Sequence, residues 1–238
     1  MKLLENFRDF IFGAECLGCG RPEGRLDPWL CPSCREELAR LSASYSNPSA
    51  DVFSLFPMRP LTRELVHALK YRSIPGMATY LVKNSAANKN LAIGQEISLL
   101  PKPLCFVPVP IHPARLRERG YNQAEKIAEA LANVCDGRVC RWLRRKTFVV
   151  SQTKLSKEQR EWNVAGAFES CLPKILPPRG TVIVVDDVYT TGATTTSCLG
   201  AFGKDFPLPL KVCTLLYEEP ATAAADYAAD QRADWEYG

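Results

Sequence analysis

Several features that are common in other protein classes are missing from this chain of 238 residues. No apolar run reaches the roughly 20 residues that a membrane-spanning helix needs, so we expect no membrane insertion. The first ten residues, MKLLENFRDF, contain acids and have no continuous apolar stretch. This pattern is typical of a short amphipathic helix and argues against a secretory signal peptide. The sequence therefore predicts a cytoplasmic protein.

The chain also lacks a Walker phosphate-binding loop and a strong charge of one sign. Its only Gly-Lys pair is Gly203-Lys204, and Cys198 stands where that loop requires its first glycine. The formal net charge is only +4, which by itself does not indicate a nucleic-acid-binding protein. The charge is unevenly distributed, because residues 138–160 are basic and the tail after Tyr217 is acidic. A DNA-binding surface would therefore have to be local.

Four of the ten cysteines form two close pairs, Cys16 with Cys19 and Cys31 with Cys34. Each Cys-x-x-Cys pair can place two thiolates on one tight turn, and two such turns complete the S₄ site of a structural zinc ion. The alternatives are a redox motif and a disulfide. Two copies so close together disfavour the first, and a reducing cytosol disfavours the second. We predict a zinc-ribbon-like module at residues 1–45, with the other six cysteines as free thiols.

The most informative segment runs from Val182 to Thr195. Its four β-branched residues predict a strand that is buried on both faces, as in a parallel sheet. Asp186 and Asp187 follow at the carboxyl end of that strand, where open α/β sheets bind ligands. The next turn can surround a phosphate with backbone amides and hydroxyls at a helix N-terminus. The turn contains Thr190, Thr191, Gly192, Ala193, Thr194 and Thr195.

The adjacent carboxylates narrow the ligand further. Asp186 and Asp187 are too acidic to contact a phosphate directly, but they suit either the hydroxyls of a sugar or a hydrated Mg²⁺. The segment therefore predicts a site for a phosphorylated sugar that carries a metal-bound pyrophosphate. Elsewhere, predicted strands at 52–57, 104–110 and 211–217 alternate with helices, one of which begins after Asn122 as its N-cap. This order predicts a parallel α/β sheet with right-handed connections.

Residues 182–195 resemble the 5-phosphoribosyl-1-diphosphate (PRPP) motif of type I phosphoribosyltransferases. The chain as a whole resembles the competence protein F (ComF) family of amidophosphoribosyltransferase-like proteins. Besides that motif, the matching pieces are Cys16-x-x-Cys19, Cys31-x-x-Cys34, Leu69-Lys-Tyr71, Val107-Pro-Val-Pro110, Arg119-Gly-Tyr-Asn-Gln123, Arg145-x-Thr147, Gln152, Arg160-x-x-Asn163 and Gly166-Ala-Phe168.

The resemblance implies a type I phosphoribosyltransferase fold, a parallel sheet flanked by helices, at residues 46–220. The zinc module precedes it and an acidic tail, 221–238, follows. It also implies that a hood built from residues 50–75 or the zinc module covers the acceptor, and that Lys70 and Tyr71 approach the site. The residues implied to contact the pyrophosphate, directly or from a mobile loop at 146–163, are His112, Arg115, Arg119, Lys146, Gln152 and Arg160. A solvated basic face is the alternative for Arg115, Arg117 and Arg119, although Arg119 belongs to the matched Arg-Gly-Tyr-Asn-Gln motif.

The implied reaction is displacement at the anomeric carbon of PRPP, bound with Mg²⁺, by an unidentified acceptor. Asp186 and Asp187 would act on the ribose hydroxyls, and residues 190–195 would hold the 5′-phosphate. The implied role is in competence and DNA uptake, with single-stranded DNA and other uptake proteins as partners. A non-catalytic DNA-handling protein and a PRPP-responsive regulator are the alternatives. Trp142, Phe148 and Trp162 offer stacking surfaces for DNA, although core packing is the favoured role of these aromatics.

Overall fold

The computed structural model describes residues 14–23, 26–43, 49, 51–86, 96–97, 99–146 and 166–219. Its strands are β1 (Ala14–Glu15), β2 (Pro22–Glu23), β3 (Val52–Pro57), β4 (Leu104–Pro108), β5 (Gly137–Val139), β6 (Leu143–Arg145), β7 (Phe168–Ser170), β8 (Thr181–Tyr189) and β9 (Leu210–Tyr217). Its helices are α1 (Pro32–Ala43), α2 (Pro60–Tyr71), α3 (Gly76–Ala86), α4 (Pro113–Arg119), α5 (Gln123–Val134) and α6 (Ala193–Gly200). None of the helices among these residues is long and apolar enough to cross a membrane.

A sheet of five strands in the order β3-β9-β8-β4-β5 forms the centre of the fold. Every neighbouring pair in it is parallel. The side chains of β8 alternate between two apolar layers, as the pleat of a strand requires. Ile183 and Val185 pack in the layer that contains α5, whereas Val182 and Val184 pack with Cys198 of α6. The predicted α/β architecture, with a buried strand at 182–185, is confirmed, and Cys198 is buried in the core.

The order of the strands creates a crevice between β4 and β8. The chain passes from β4 through α5 to β5 on one side, and from β8 through α6 to β9 on the other. Connections that diverge from two neighbouring strands leave a gap outside their carboxyl ends, and open α/β sheets bind ligands there. Asp186, Asp187 and the turn at 190–195 lie at this edge.

Helix α2 crosses above the same edge of the sheet. It begins directly after the carboxyl end of β3, and near its other end the Lys70 ammonium reaches Asp187 of β8. Leu61, Leu65 and Leu69 are buried beneath it at the spacing of one helical face. Part of the 50–75 segment therefore covers the carboxyl edge of the sheet.

The four-cysteine segment packs on this helix and on α3. Leu30 and Leu38 belong to the same buried cluster as Leu65 of α2. The Trp29 ring meets the Tyr80 ring edge-on, with 5.5 Å between their centroids. The Tyr80 hydroxyl donates a hydrogen bond of 3.2 Å to the carbonyl of Asp27. The predicted module boundary at residue 45 and the acidic tail at 221–238 lie outside the described residues.

Candidate functional site at the carboxyl end of the sheet

The turn after β8, which is the predicted phosphate-binding turn, leads directly into α6. Gly192 has a φ of 74°, in the left-handed region, and caps the helix that begins at Ala193. The Thr195 hydroxyl donates to the Gly192 carbonyl at 2.9 Å and so fastens the first turn. Residues 188–195 surround a small concavity of about 30 Å³. The first amides of a helix have no partner within it, so this turn offers donors to an anion.

Asp187 is held by two side chains from other elements. The Lys70 ammonium on α2 lies 2.7 Å from its Oδ1. The Gln123 amide, at the first position of α5, donates to its Oδ2 at 2.9 Å. Asp187 is buried between them. The resemblance anticipated Lys70, but it assigned no role to Gln123, although both residues belong to the matched motifs.

Asp186 has a different environment from its neighbour. Its Oδ1 accepts the backbone amide of Asp187 at 2.9 Å. Burial, and next the charge of Asp187, raise the pKa of Asp186 to about 7, although the Asp187 amide and Lys70 oppose the shift. Near neutral pH this carboxyl is therefore present in both forms, and it can accept or donate a hydrogen bond to a sugar hydroxyl.

Three of the six residues predicted to contact the pyrophosphate lie before the predicted mobile loop, and they occupy two environments. His112 is exposed and caps α4, because its Nδ1 accepts the Ala114 amide at 3.2 Å. The neutral ring therefore carries its proton on Nε2, which can act as a donor. Arg115 is exposed on α4. The Arg119 side chain is buried beside α2, with its guanidinium carbon 4.9 Å from the centroid of the Tyr71 ring. Of the three, Arg119 is the one that is buried, and it packs against the last residue of α2.

Of the segment predicted to form the mobile loop, 146–163, the structure describes Lys146, which directly follows a short ladder. Strands β6 and β7 pair antiparallel, and the Lys146 amide donates to the Ala167 carbonyl at 2.8 Å. Lys146 itself is exposed. Gln152 and Arg160, like Phe148 and Trp162, lie outside the described residues, so their predicted roles remain predictions.

The described part of the basic stretch is a poor stacking surface for DNA. Trp142 is only 8% exposed and packs in the core layer of α6, so the expectation of core packing is confirmed for this residue. Arg141 donates to Glu125 at 2.7 Å, and Arg144 donates to Glu169 at 2.8 Å. These ion pairs reduce the positive charge that a phosphate backbone would meet.

A larger cavity of about 880 Å³ opens between the start of α2 and the phosphate turn. Thr190 and Thr191 form part of its wall and also line the small concavity, so the two spaces are neighbours. Arg59 spans one side of it and forms an ion pair of 2.7 Å with Glu219. The other residues that line it are Met58, Pro60, Arg63, Glu64, Tyr217 and Glu218.

The four predicted zinc ligands lie together in the structure. The Sγ atoms of Cys16, Cys19, Cys31 and Cys34 all lie within 4.8 Å of one another. The Cys19 and Cys31 sulfurs are 3.9 Å apart, close to the ~3.8 Å edge of a tetrahedron with metal–sulfur bonds of about 2.3 Å. The Cys31 amide donates to the Cys16 sulfur at 3.3 Å. The Ser33 hydroxyl, followed by the Cys34 amide, lowers the pKa of Cys31 to about 6.

These sulfurs fit a bound metal, consistent with structural zinc, which would tie the two Cys-x-x-Cys turns together. The carboxylate pair does not fit a divalent ion held by the protein alone. Both oxygens of Asp187 already have partners, and one of these partners is a cation. Asp187 is therefore not a ligand of Mg²⁺ in the chemistry that we propose for this site.

The fold is that of an α/β protein, with a parallel central sheet and helices on both faces. A phosphate-type turn lies at the topological switch point of the sheet, and a four-cysteine cluster lies near the N-terminus. Comparison with known proteins gives its relatives. Competence protein F of Haemophilus influenzae is 34% identical over 96 residues, which cover 40% of this chain and 42% of that protein. The match to this relative thus spans less than half of its length.

Two further relatives match most of the chain. DNA utilization protein YhgH of Salmonella typhi is 29% identical over 185 residues, which cover 75% of this chain and 73% of that protein. YhgH of Escherichia coli is 27% identical over 199 residues, which cover 75% and 79%. No family profile matches the chain. The chain is thus a homologue, at modest identity, of competence protein F and the YhgH proteins, and the predicted ComF resemblance is confirmed.

Proposed function

We propose that this protein binds PRPP in the crevice between β4 and β8 and transfers its phosphoribosyl group to an acceptor, with release of pyrophosphate. The proposal includes the type I phosphoribosyltransferase fold for residues 46–220. It also includes a role in competence and DNA utilisation, the processes for which the relatives are named.

One observation supports the proposal most strongly. The phosphate turn at 190–195 and the carboxylates of Asp186 and Asp187 lie at the end of a single strand, beside the switch point of the sheet. A sugar 5-phosphate needs hydrogen-bond donors for its phosphate at one end and hydrogen-bond acceptors for its hydroxyls at the other. This segment offers both at adjacent positions. The turn donates amides, whereas the carboxylates accept hydroxyls.

The site residues suit displacement at the anomeric carbon. The bond from this carbon to the pyrophosphate oxygen breaks with its electron pair leaving on the pyrophosphate, and a bond to the acceptor forms. Positive charge develops on the sugar ring in between, and the carboxylates of Asp186 and Asp187 stabilise it. In this proposal Lys70, Arg119 and the Nε2 proton of His112 donate hydrogen bonds to the departing pyrophosphate. Mg²⁺ arrives with the pyrophosphate as part of the substrate.

The acceptor enters through the large cavity below α2. Glu64 and Glu218 offer carboxylate oxygens there, while Arg59 is already paired with Glu219. Carboxylates bind N–H donors, so the cavity suits an amine or a nitrogen heterocycle, which is also a suitable nucleophile for the anomeric carbon. A matching test is Glu64→Gln plus Glu218→Gln, which should lower turnover and leave PRPP affinity unchanged.

Calorimetric titration of the zinc-loaded full chain with PRPP and Mg²⁺ tests the ligand. We expect saturable binding that is lost in the variant Asp186→Asn plus Asp187→Asn. Asp51→Asn is the matched control, because Asp51 pairs with Lys211 at the opposite edge of the sheet. Binding that survives in the double variant would place the ligand elsewhere. Pyrophosphate release with a panel of nitrogen acceptors then separates a transferase from a PRPP-responsive regulator.

The name of the YhgH relatives, DNA utilization protein, also favours a second candidate, the handling of DNA, and the form that we propose is single-stranded. The described surfaces give it little local support, because Trp142 is buried and residues 14–43 carry four arginines against five acids. We expect Arg141→Ala plus Arg144→Ala to leave single-stranded DNA affinity unchanged. A marked loss, together with a shallower salt dependence, would assign a DNA site to this stretch.

A further inference from the structure

A lysine of the protein itself forms an ion pair with one member of the carboxylate pair Asp186–Asp187. The Lys70 ammonium lies 2.7 Å from Oδ1 of Asp187, and the Lys70 side chain keeps 23% of its surface exposed. The ammonium has three hydrogens. It can therefore serve Asp187 and a ligand at the same time.

The contacts around this ion pair hold its members in place. Leu69, the neighbour of Lys70, is fully buried, and its carbonyl accepts the Tyr121 hydroxyl. Gln123 follows Asn122, whose side chain caps α5 by accepting the Ala124 amide at 3.1 Å. A helix cap on one side and a buried helix on the other thus fix the two groups that contact Asp187.

The orientation of the Gln123 amide follows from charge. Its Nε2 faces Oδ2 of Asp187, because the reverse orientation would direct a carbonyl oxygen at a carboxylate. Its Oε1 is buried and has no hydrogen-bond partner among the described residues. Asp187 therefore receives one donor on each oxygen, and both donors come from elements that meet only in the tertiary structure.

This arrangement conflicts with a divalent ion bound at the pair. Mg²⁺ requires near-octahedral oxygen ligands at about 2.0–2.1 Å, and a carboxylate is its usual anchor in proteins. An ammonium in hydrogen-bond contact with Oδ1 occupies one of the sites such an ion would use and repels it.

We infer that Lys70 is the resident cation of this site, positioned by Asp187, and that divalent ions reach the site only on the oxygens of the bound ligand. Lys70 is thus a ligand-binding residue, and Gln123 is a positioning residue that keeps Asp187 directed at it. The ligand-binding role of Lys70 rests on the proposed function, because it requires an anionic sugar phosphate as the ligand. The metal-binding part of the inference stands without that function.

Removal of the ammonium should create the metal site that is blocked in the wild-type protein. Lys70→Met frees Oδ1 of Asp187 beside Asp186, and we expect the zinc-loaded full chain to gain Mn²⁺ affinity by about 10- to 100-fold, the range by which neighbours of metal ligands change affinity. Electron paramagnetic resonance of free Mn²⁺ measures the gain without any activity assay. Adding Asp187→Asn to Lys70→Met should abolish it.

Two controls isolate the charge. Lys126→Met removes an ammonium from the exposed pair with Glu129 on α5 and should leave Mn²⁺ binding unchanged. Lys70→Arg keeps the cation, and it should also show no gain. If Lys70→Met fails to fold, Lys70→Gln tests the same point with a polar side chain. Wild-type Mn²⁺ binding that is lost on Asp187→Asn would overturn the inference, and so would the absence of a gain in folded Lys70→Met.

Ribose 5-phosphate, titrated into the zinc-loaded full chain in buffer free of Mg²⁺ and Mn²⁺, tests the ligand part. The wild-type protein should bind it without a divalent ion, and Lys70→Met should bind it about tenfold more weakly. Equal affinities would refute a ligand-binding role for Lys70. If neither PRPP nor ribose 5-phosphate binds to the wild-type protein, the proposed function fails, while the Mn²⁺ result still decides which cation the pair accepts.

Discussion

Replacement of Gly192 by alanine is the most direct test of the phosphate turn. Gly192 has a φ of 74°, and a Cβ added there would lie 2.5 Å from the Tyr189 hydroxyl oxygen and 2.8 Å from the Tyr189 ring. Real Cβ atoms do not approach other atoms so closely. The Tyr189 ring also lies near the Tyr217 ring, 5.8 Å between centroids, so a rotation of Tyr189 away from the added Cβ would disturb that contact.

The expected cost has two parts. An L-residue in the left-handed region costs about 1–2 kcal/mol, and overpacking against a ring costs about 1–3 kcal/mol. Gly192→Ala should therefore destabilise the fold by about 2–5 kcal/mol. At roughly 2–4 °C per kcal/mol for a chain of this size, the melting temperature should fall by about 4–20 °C. PRPP affinity should fall as well, because the turn's amides are displaced.

Equilibrium urea unfolding and calorimetric titration measure the two effects. Gly200→Ala is the matched control, since Gly200 ends the same helix and an added Cβ meets nothing within 4 Å. It should change the free energy of unfolding by no more than about 0.5–1 kcal/mol. In a Tyr189→Ala background the cost of Gly192→Ala should drop to the backbone part alone. A cost below about 0.5 kcal/mol with unchanged PRPP affinity would refute the reasoning.

Three further predictions concern pH, metal and packing. The pKa of Asp186 in the folded protein, about 7, lies above its ordinary value, so its contribution to the free energy of unfolding is present at low pH and is lost as the pH rises toward 7. Urea unfolding at pH 5 and pH 8 measures this loss, and Asp186→Asn should remove it. Ionised Asp186 accepts ribose hydroxyls, so PRPP affinity should rise over the same range and lose this dependence in the same variant. A strong chelator should lower the melting temperature of the wild-type protein but not that of Cys34→Ser, and an equal fall in both would contradict the metal site. Gly18→Ala should cost about 1–3 kcal/mol in urea unfolding, because its Cβ would lie 2.5 Å from Leu61 of α2, and an unchanged stability would contradict packing of the cysteine segment on that helix.

Local patterns in the sequence predicted much of the fold. The strand at 52–57 and the N-cap at Asn122 appear where the pattern placed them, because each depends on a few neighbouring residues. The cysteine spacing likewise predicted a cluster of four sulfurs that the structure shows. Trp142 illustrates the limit of such patterns, since its position among arginines suited either stacking or burial, and only the packing against α6 decided for burial.

The sequence by itself determined the groups of this site that are close together in the chain, namely Asp186, Asp187 and the phosphate turn after one buried strand. Their spacing is set by the strand and the turn alone. The tertiary structure decided the partners of Asp187, because Lys70 and Gln123 reach it from helices that are far apart in the chain. It also decided that the cysteine segment packs against α2, and that a cavity lies between the start of this helix and the phosphate turn. Contacts between distant segments depend on how helices pack across the sheet, and no local pattern of residues encodes that packing.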